Sequence, residues 1–326
     1  MGTERKVDFP YTPKTKVPEI QYEDFNGARF GYQLWSAVPD KEDPKNTKVK
    51  GRVLLVHGFG EYHLIALRFM DFLSQNGYES FIFDQRGAGV TSPGKLKGIT
   101  NEYHTFNDLE HFVEKNLAEC KENNTPLFLW GHSMGGGIVL NYGCKGKHKG
   151  EIDGYVVSGP LIILHPRSQP NVIARTLGSM AAHVMPNFRV DSGLQTAGIT
   201  SDERYRSFLE NDPMSIPLIG SLRQISDFLE RGEKLYKNKN NYVQNNFVKN
   251  KPVLIMHGKD DTINDPKGSE KFFQICPAAD KELKLYPGMR HSIFTLETDE
   301  NVARVHSDVK EWLDSHSFVL QSRDEE

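Results

Sequence analysis

The chain alternates short apolar runs with longer amphipathic stretches, and this alternation restricts the folds that it can adopt. Strand-like runs, brief and mostly bounded by Gly or Pro, lie at 52–58, 80–87, 126–131, 155–160, 252–258 and 282–287. Stretches with the apolar spacing of a helix lie between them, at 64–77, 106–120 and 135–148. Strands that alternate with helices predict an α/β fold, with a mostly parallel central sheet flanked by helices.

Two parts of the chain depart from this alternation. Residues 20–37 contain two strand-like runs joined by Asn26-Gly27, which predicts an antiparallel hairpin. Residues 161–240 lack the alternation, although they lie between two predicted strands. We therefore expect 161–240 to form a helical cap, inserted after the sixth strand of a core made from 1–160 and 241–326.

Length and composition fit one enzyme-sized domain with an insertion. The chain has 326 residues, of which 37% are hydrophobic and 25% charged, so it can bury a large core. Its formal net charge of −3 gives no electrostatic basis for nucleic-acid binding, and we expect none. Three separated cysteines form no CxxC or Cys/His cluster, which argues against a metal site and favours a reducing cytoplasm: Cys120, Cys144 and Cys276.

Nothing in the sequence predicts secretion or a membrane span. The first twenty residues contain no apolar core of a signal peptide, and Lys6 departs from the myristoylation pattern. No run of eighteen apolar residues occurs anywhere in the chain. We therefore expect a cytoplasmic protein that can meet a membrane only peripherally.

Residues 131–135, Gly-His-Ser-Met-Gly, form a G-x-S-x-G motif that directly follows an apolar strand and opens a glycine-rich helix. In this setting the serine lies on a strained turn, where flanking glycines avoid clashes that side chains would cause. The helix N-terminus supplies free N–H groups and a positive dipole beside the reacting oxygen. An ordinary glycine-rich turn is the alternative. The strand before and the helix after favour Ser133 as a nucleophile, and with it the α/β-hydrolase fold.

The loop after the strand at 52–58, with the sequence His-Gly-Phe-Gly-Glu at 57–61, is a candidate for half of an oxyanion hole. In this architecture such a loop contributes one backbone N–H, and the residue after the nucleophile contributes the other. The two predicted donors are therefore the N–H groups of Phe59 and Met134. A tight turn into the next helix is a compatible alternative.

The fold requires an acid and then a histidine after the nucleophile. Asp261 lies just past the strand at 252–258, where a loop at the carboxyl end of a strand can present an acid. His291 follows the strand at 282–287. We predict Asp261 and His291 as the other members of a triad, with Asp260 and Asp265 as rivals for the acid.

Other histidines are weaker candidates for the base. His57 and His132 lie on the two turns beside the nucleophile, where structural roles are expected. His306 and His316 are expected on a terminal amphipathic helix, facing solvent.

With these motifs in place, the sequence resembles the monoacylglycerol lipases, and among them the fungal branch. The resemblance runs from about residue 20 to about residue 315 and rests on HGFGEY, GHSMGGGI, SGPLIIL, NDPMS, HGKDDTIND and LYPGMRHSIF. It implies an enzyme without a cofactor that releases a fatty acid from glycerol, using Ser133, Asp261 and His291. It also implies a location in the cytosol or on lipid droplets, and a cap that covers an acyl tunnel and rests on membranes.

Two positions depart from relatives outside the fungi. Ile65 stands where many of those proteins have an arginine, four residues after the glutamate that matches Glu61. Phe294 stands three residues after His291, at a position where they can carry a histidine. Glycerol contacts of those two residues therefore do not transfer to this chain.

The cap sequence at 172–185 is apolar over more than one helical stripe. Such a wide arc leaves surface for an acyl tunnel or a bilayer, and we predict substrate contacts for Ile173, Leu177 and Met180. Ordinary packing of the cap on the core is the alternative.

Three other functions are compatible with parts of the sequence. A lysophospholipase, or a broader carboxylesterase that includes fatty-acid ethyl esters, would use the same triad, since the triad does not select the substrate. A non-catalytic binding protein of this fold is disfavoured because serine, acid and histidine all occur in the required order.

Overall fold

The computed structural model of the protein describes residues 8–39, 48–169 and 172–323, with side chains for all of these except 172–177 and 318–323. This part of the chain contains ten strands: β1 (Gln21–Phe25), β2 (Ala28–Trp35), β3 (Gly51–Val56), β4 (Tyr78–Phe83), β5 (Leu127–His132), β6 (Gly154–Ser158), β7 (Arg189–Asp191), β8 (Ile219–Ser221), β9 (Val253–Gly258) and β10 (Lys281–Tyr286). Its α-helices are α1 (Leu67–Gln75), α2 (Glu102–Glu122), α3 (Met134–Lys145), α4 (Val172–Val184), α5 (Thr196–Ile199), α6 (Glu203–Asn211), α7 (Leu222–Lys237), α8 (Tyr242–Asn246), α9 (Pro266–Ile275) and α10 (Asp299–Arg323).

Eight of these strands form one sheet, in the order β1-β2-β4-β3-β5-β6-β9-β10. Within this sheet, β4, β3, β5, β6, β9 and β10 pair in parallel, each with its neighbour. Strand β2 pairs antiparallel with both β1 and β4. The predicted hairpin is confirmed: Phe25 pairs with Ala28, and both Asn26 and Gly27 have the positive φ that a two-residue hairpin turn requires.

The sheet is buried on both faces, because successive side chains of a strand point to opposite sides. In β3, Leu54 belongs to a core cluster that also contains Phe112 of α2 and Ile138 of α3. Its neighbour Val53 belongs to a second cluster, together with Phe69 of α1. The mostly parallel sheet with helices on both faces is therefore confirmed.

The segment between β6 and β9 holds the helices α4 to α8 and a small antiparallel ribbon of β7 and β8. Helix α7 also reaches the core, since Phe228 and Leu235 belong to the cluster that contains Ile138. We keep 161–240 as the proposed cap, with α7 as the element that joins it to the core.

One expectation for the terminal helix is wrong. His306 of α10 is buried rather than exposed to solvent; its ring stacks on Phe72, and its Nε2 donates to the carbonyl of Phe294 at 2.8 Å. It lies on the inner side of α10, beside the buried Val305 and Val309, because this helix covers one face of the sheet. His316 of the same helix is half-buried and contacts Trp312.

Candidate active site

Ser133 lies between the end of β5 and the first residue of α3, on a turn with an unusual backbone conformation. Its φ and ψ are 53° and −118°, a combination that costs energy for a residue with a side chain. Close packing fixes this turn: a Cβ on Gly135 would lie 2.0 Å from the carbonyl oxygen of Val56, at the end of β3. The strained serine between strand and helix is the conformation that the G-x-S-x-G motif predicts.

Two backbone N–H groups lie beside this turn. Met134 is the first residue of α3, so its N–H has no partner within the helix. The loop after β3, residues 57–61, is called the oxyanion loop below. It passes against the nucleophile, because a Cβ on Gly58 would lie 3.1 Å from the Cβ of Ser133. Phe59 is the next residue of this loop, and it lines one small cavity together with Met134, the residue that follows Ser133.

Asp261 and His291 are in direct contact. Nδ1 of His291 lies 2.7 Å from Oδ2 of Asp261, and Oδ1 of Asp261 accepts from the N–H groups of Ile263 and Asn264 at 2.7 and 3.0 Å. Burial raises the pKa of Asp261, but the His291 charge and the hydrogen bonds outweigh this effect and lower the pKa overall. Burial lowers the pKa of His291, and its interaction with Asp261 reverses the shift and raises it.

The rival acids lie in other surroundings. Asp260 is exposed to solvent. Asp265 caps α9, where its side chain accepts from the N–H of Lys267 at 3.0 Å. Of the three candidate acids, Asp261 is the one whose side chain lies within hydrogen-bond distance of His291 among the described residues. Its catalytic role stays a prediction.

His257 is a second histidine on the same carboxylate, and sequence reasoning missed it. Its Nε2 lies 3.0 Å from Oδ2 of Asp261, and its Nδ1 lies 2.7 Å from Oγ of Ser269. It is fully buried at the end of β9. No local pattern marks this contact, because it depends on how the loop after β9 folds back toward the strand.

The histidines beside the nucleophile hold backbone groups. His57 accepts from the N–H of Gln85 through Nε2 at 2.9 Å, and its Nδ1 lies 2.8 Å from the carbonyl of Gly58. Nδ1 of His132 lies 3.0 Å from the carbonyl of Ser158. These contacts are the structural roles expected for both residues.

A cavity of about 1270 Å³ lies between the proposed cap and the loop that carries Asp261. Several of its lining residues are apolar: Leu164, Ile225, Phe228, Leu229 and Ile263. Gly178 and Ser179 of α4 also line it, whereas Met180 is 64% exposed. Ile173 and Leu177 lie in α4, but their side chains are outside the described part of the chain.

Among the described residues, one group of side chains at the surface has the spacing of possible metal ligands. Ligand atoms of Glu110, Glu114 and His148 lie within 4.8 Å of one another. Lys147 already pairs with Glu114 at 2.6 Å. The group lies near the C-terminal end of α3, about 18 Å along this helix from Ser133, so it takes no part in the site.

Comparison with known proteins identifies the family to which the chain belongs. The sequence model of the family described as serine aminopeptidase, S33, matches residues 47–299. The chain is 64% identical to the monoglyceride lipase of Saccharomyces cerevisiae over 309 residues, which cover 95% of this chain and 97% of that protein. It is 34% identical to a putative monoglyceride lipase of Schizosaccharomyces pombe over 286 residues, or 87% of this chain and 70% of that protein.

The similarity extends to three dimensions. A crystal structure of a soluble variant of the Saccharomyces cerevisiae monoglyceride lipase, in complex with a substrate analog, matches with a TM-score of 0.91 and 64% identity. The match covers 95% of this chain and 99% of that chain, so it includes the segment between β6 and β9 as well as the sheet. The chain therefore belongs to the monoglyceride lipase family of α/β-hydrolases.

Proposed function

We propose that the protein is a serine ester hydrolase that cleaves monoacylglycerol to glycerol and a free fatty acid. One observation carries the substrate: 64% identity to a monoglyceride lipase across 97% of that enzyme, cap segment included. The chemistry is supported by the strained Ser133 and by the contact between Asp261 and His291.

In the proposed reaction Ser133 attacks the ester carbonyl while His291 takes its proton. Asp261 holds the imidazole in the required tautomer and stabilises its protonated form. The N–H groups of Phe59 and Met134 bind the oxyanion. His291 then returns its proton to the leaving glycerol, and next activates water, which releases the fatty acid from Ser133.

The cavity beneath the proposed cap suits a long acyl chain. Part of its lining is apolar, and Asp261 lies in its wall, so an acyl chain that enters it would extend away from the reacting carbonyl at Ser133. Each buried methylene is worth about 0.8 kcal/mol, so part of a long chain can outweigh the cost of its immobilisation.

We also propose that the enzyme works in the cytoplasm, in peripheral contact with membranes or lipid droplets. Exposed apolar side chains cluster in sequence at the end of α4 and just beyond it: Met180, Val184, Met185 and Phe188. Arg189 donates to the carbonyl of Gly94 at 3.0 Å, which brings the exposed Leu96 to the same region. We call these five apolar residues the apolar patch. Among the described residues, no helix could itself cross a bilayer.

The test is a hydrolysis panel of mono-, di- and triacylglycerols, lysophospholipid, fatty-acid ethyl ester and short esters, run beside fluorophosphonate labelling. We expect the highest kcat/KM for monoacylglycerol, and labelling that Ser133→Ala abolishes. The substitution should lower kcat on the order of a millionfold, as loss of the nucleophile does in a triad enzyme. A preference for lysophospholipid or short esters would contradict the substrate, and labelling that survives Ser133→Ala would contradict the nucleophile.

A further inference from the structure

Glu61 is a largely buried carboxyl group that the mechanism above does not use. Its Oε2 accepts a hydrogen bond from the N–H of Gly58 at 2.6 Å, within the oxyanion loop. Its Oε1 lies 3.6 Å from Nε2 of His132, the residue before Ser133. Only 14% of its side chain is exposed. The carboxyl group therefore lies between the two turns that carry the proposed oxyanion donors.

The ring nitrogen of His132 that faces this carboxyl group, Nε2, carries no proton. Nδ1 of His132 must carry the ring proton, because it faces the carbonyl of Ser158, which can only accept. Burial lowers the pKa of His132 well below its usual value, so the ring is neutral and Nε2 is an acceptor. Among the described residues, this buried Nε2 has no hydrogen-bond partner. An unpaired buried acceptor costs free energy that a donor in this space would recover.

The surroundings favour a neutral Glu61. A small cavity beside it is lined by Glu61, His132 and apolar side chains that include Ile65, Trp130 and Phe294. No cation forms an ion pair with Glu61 among the described residues, apart from the contact with neutral His132. Burial accordingly raises the pKa of the Glu61 carboxyl to about 7. At neutral pH and below, a large fraction of Glu61 carries a proton.

We propose that Glu61 is protonated in the most active form of the enzyme and acts as a positioning residue. Its Oε1–H closes the 3.6 Å gap and donates to Nε2 of His132, while Oε2 accepts from the N–H of Gly58. This bridge holds the oxyanion loop, with Phe59, against the turn that carries Met134. The proposal rests on the proposed function in one respect: it requires Ser133 to be the nucleophile.

Loss of this proton would act in two ways. The bridge to His132 would lose its donor. The negative charge would also raise the pKa of His291, which would then hold the proton that it must lose to act as a base. Other titratable groups near Glu61 come from the oxyanion loop, the residue before Ser133, and the loops after β4, β9 and β10: His57, His132, Arg86, Lys97, Asp261 and His291.

The substitution Glu61→Gln distinguishes a requirement for a hydrogen-bond donor at this position from a requirement for a negative charge. Its amide can accept from Gly58 N–H and donate to His132 Nε2 at every pH, whereas Glu61 can do both only when protonated. We would measure kcat/KM for a short soluble ester, and the rate of fluorophosphonate labelling of Ser133, from pH 6 to pH 9. The ratio of the E61Q value to the wild-type value should rise with pH by roughly fivefold, the worth of one hydrogen bond. Glu61→Leu loses both contacts and should be slower than E61Q by on the order of tenfold throughout.

Glu122→Gln is the matched control, because Glu122 is exposed at the end of α2, and its ratio to wild type should stay flat with pH. A ratio for E61Q that is flat or falls with pH would overturn the proposal, since the enzyme would then need an anion or only the side-chain shape. Glu61→Leu as active as E61Q would also overturn it. Ester hydrolysis and fluorophosphonate labelling both depend on Ser133, and neither uses monoacylglycerol. The results therefore test the role of Glu61 even if monoacylglycerol is not the substrate. Labelling that survives Ser133→Ala would instead overturn the nucleophile.

Discussion

At the scale of single residues, the carboxylate of Asp261 faces four hydrogen-bond donors, of which only one belongs to His291. Oδ2 faces the imidazoles of His291 and His257, and Oδ1 accepts two backbone N–H groups. Nε2 of His257 also faces the carbonyl of Asn264, so this nitrogen must carry a proton and donate. The carboxylate is thereby held ionised in one orientation, and the ring of His291 is fixed with it.

Replacement of the acid tests this arrangement. Asp261→Asn should lower kcat by roughly 10⁴, because an amide can hold the histidine in the wrong tautomer. Asp260→Asn should lower kcat very little, because Asp260, the preceding residue, is exposed to solvent. Steady-state kinetics of both variants on one ester decide the matter, with thermal melts to show that each is folded. If the two losses are reversed, Asp260 is the acid.

At the scale of elements, α4 and the residues that follow it carry four of the five residues of the apolar patch. The lining of the large cavity includes Gly178 and Ser179, whereas Met180 and Val184 are 64% and 81% exposed. An element that borders a cavity and also exposes apolar side chains can pass a lipid from a surface to the site. This dual position supports the proposed contact with lipid more directly than apolar composition does.

Met180→Asp tests the apolar patch. A charge there should lower hydrolysis of a dispersed long-chain monoacylglycerol about tenfold, and hydrolysis of a water-soluble short ester by far less, because only the first reaction needs the lipid surface. Binding to vesicles should weaken in parallel and should depend little on salt, since the contact is apolar. Val17→Asp is the matched control: Val17 is also exposed, at 42%, but lies ahead of β1. Equal losses on both substrates, together with a lower melting temperature, would instead indicate ordinary packing of the cap.

Local patterns predicted the elements that local sequence determines. The hairpin at Asn26-Gly27, the strands of the sheet and the strand–turn–helix at Ser133 all follow from short motifs or periodicity. The β7–β8 ribbon was missed because it pairs strands nearly thirty residues apart, each of three residues. The burial of His306 was missed because it depends on how distant segments pack. The contact of His257 with Asp261 spans only four residues, and it was missed because it depends on the path of the loop after β9.

At the scale of the whole molecule, the proposed catalytic residues and the proposed lipid-binding surfaces lie in different parts of the chain. Phe59, Ser133, Asp261 and His291 all follow strands of the sheet, which is packed on both faces and therefore holds them in fixed positions. Most residues that line the large cavity, and four of the five residues of the apolar patch, instead lie in the segment between β6 and β9. We therefore expect changes in that segment to alter the choice of lipid and to leave the proposed triad in place.

The backbone of Ser133 sets a limit on how heat-resistant this enzyme can be. Its φ of 53° with ψ of −118° suits glycine far better than a residue with a Cβ. Relief of roughly 1–3 kcal/mol of strain should exceed the 0.5–1 kcal/mol or so by which glycine favours the unfolded chain. Ser133→Gly should therefore melt a few degrees above Ser133→Ala, which lacks the hydroxyl but keeps the Cβ, in scanning calorimetry. A lower melting temperature for the glycine variant would show that the turn is unstrained. If the order holds, the turn that positions the proposed nucleophile lowers the stability of the fold, and the residue that relieves the strain also removes the nucleophile.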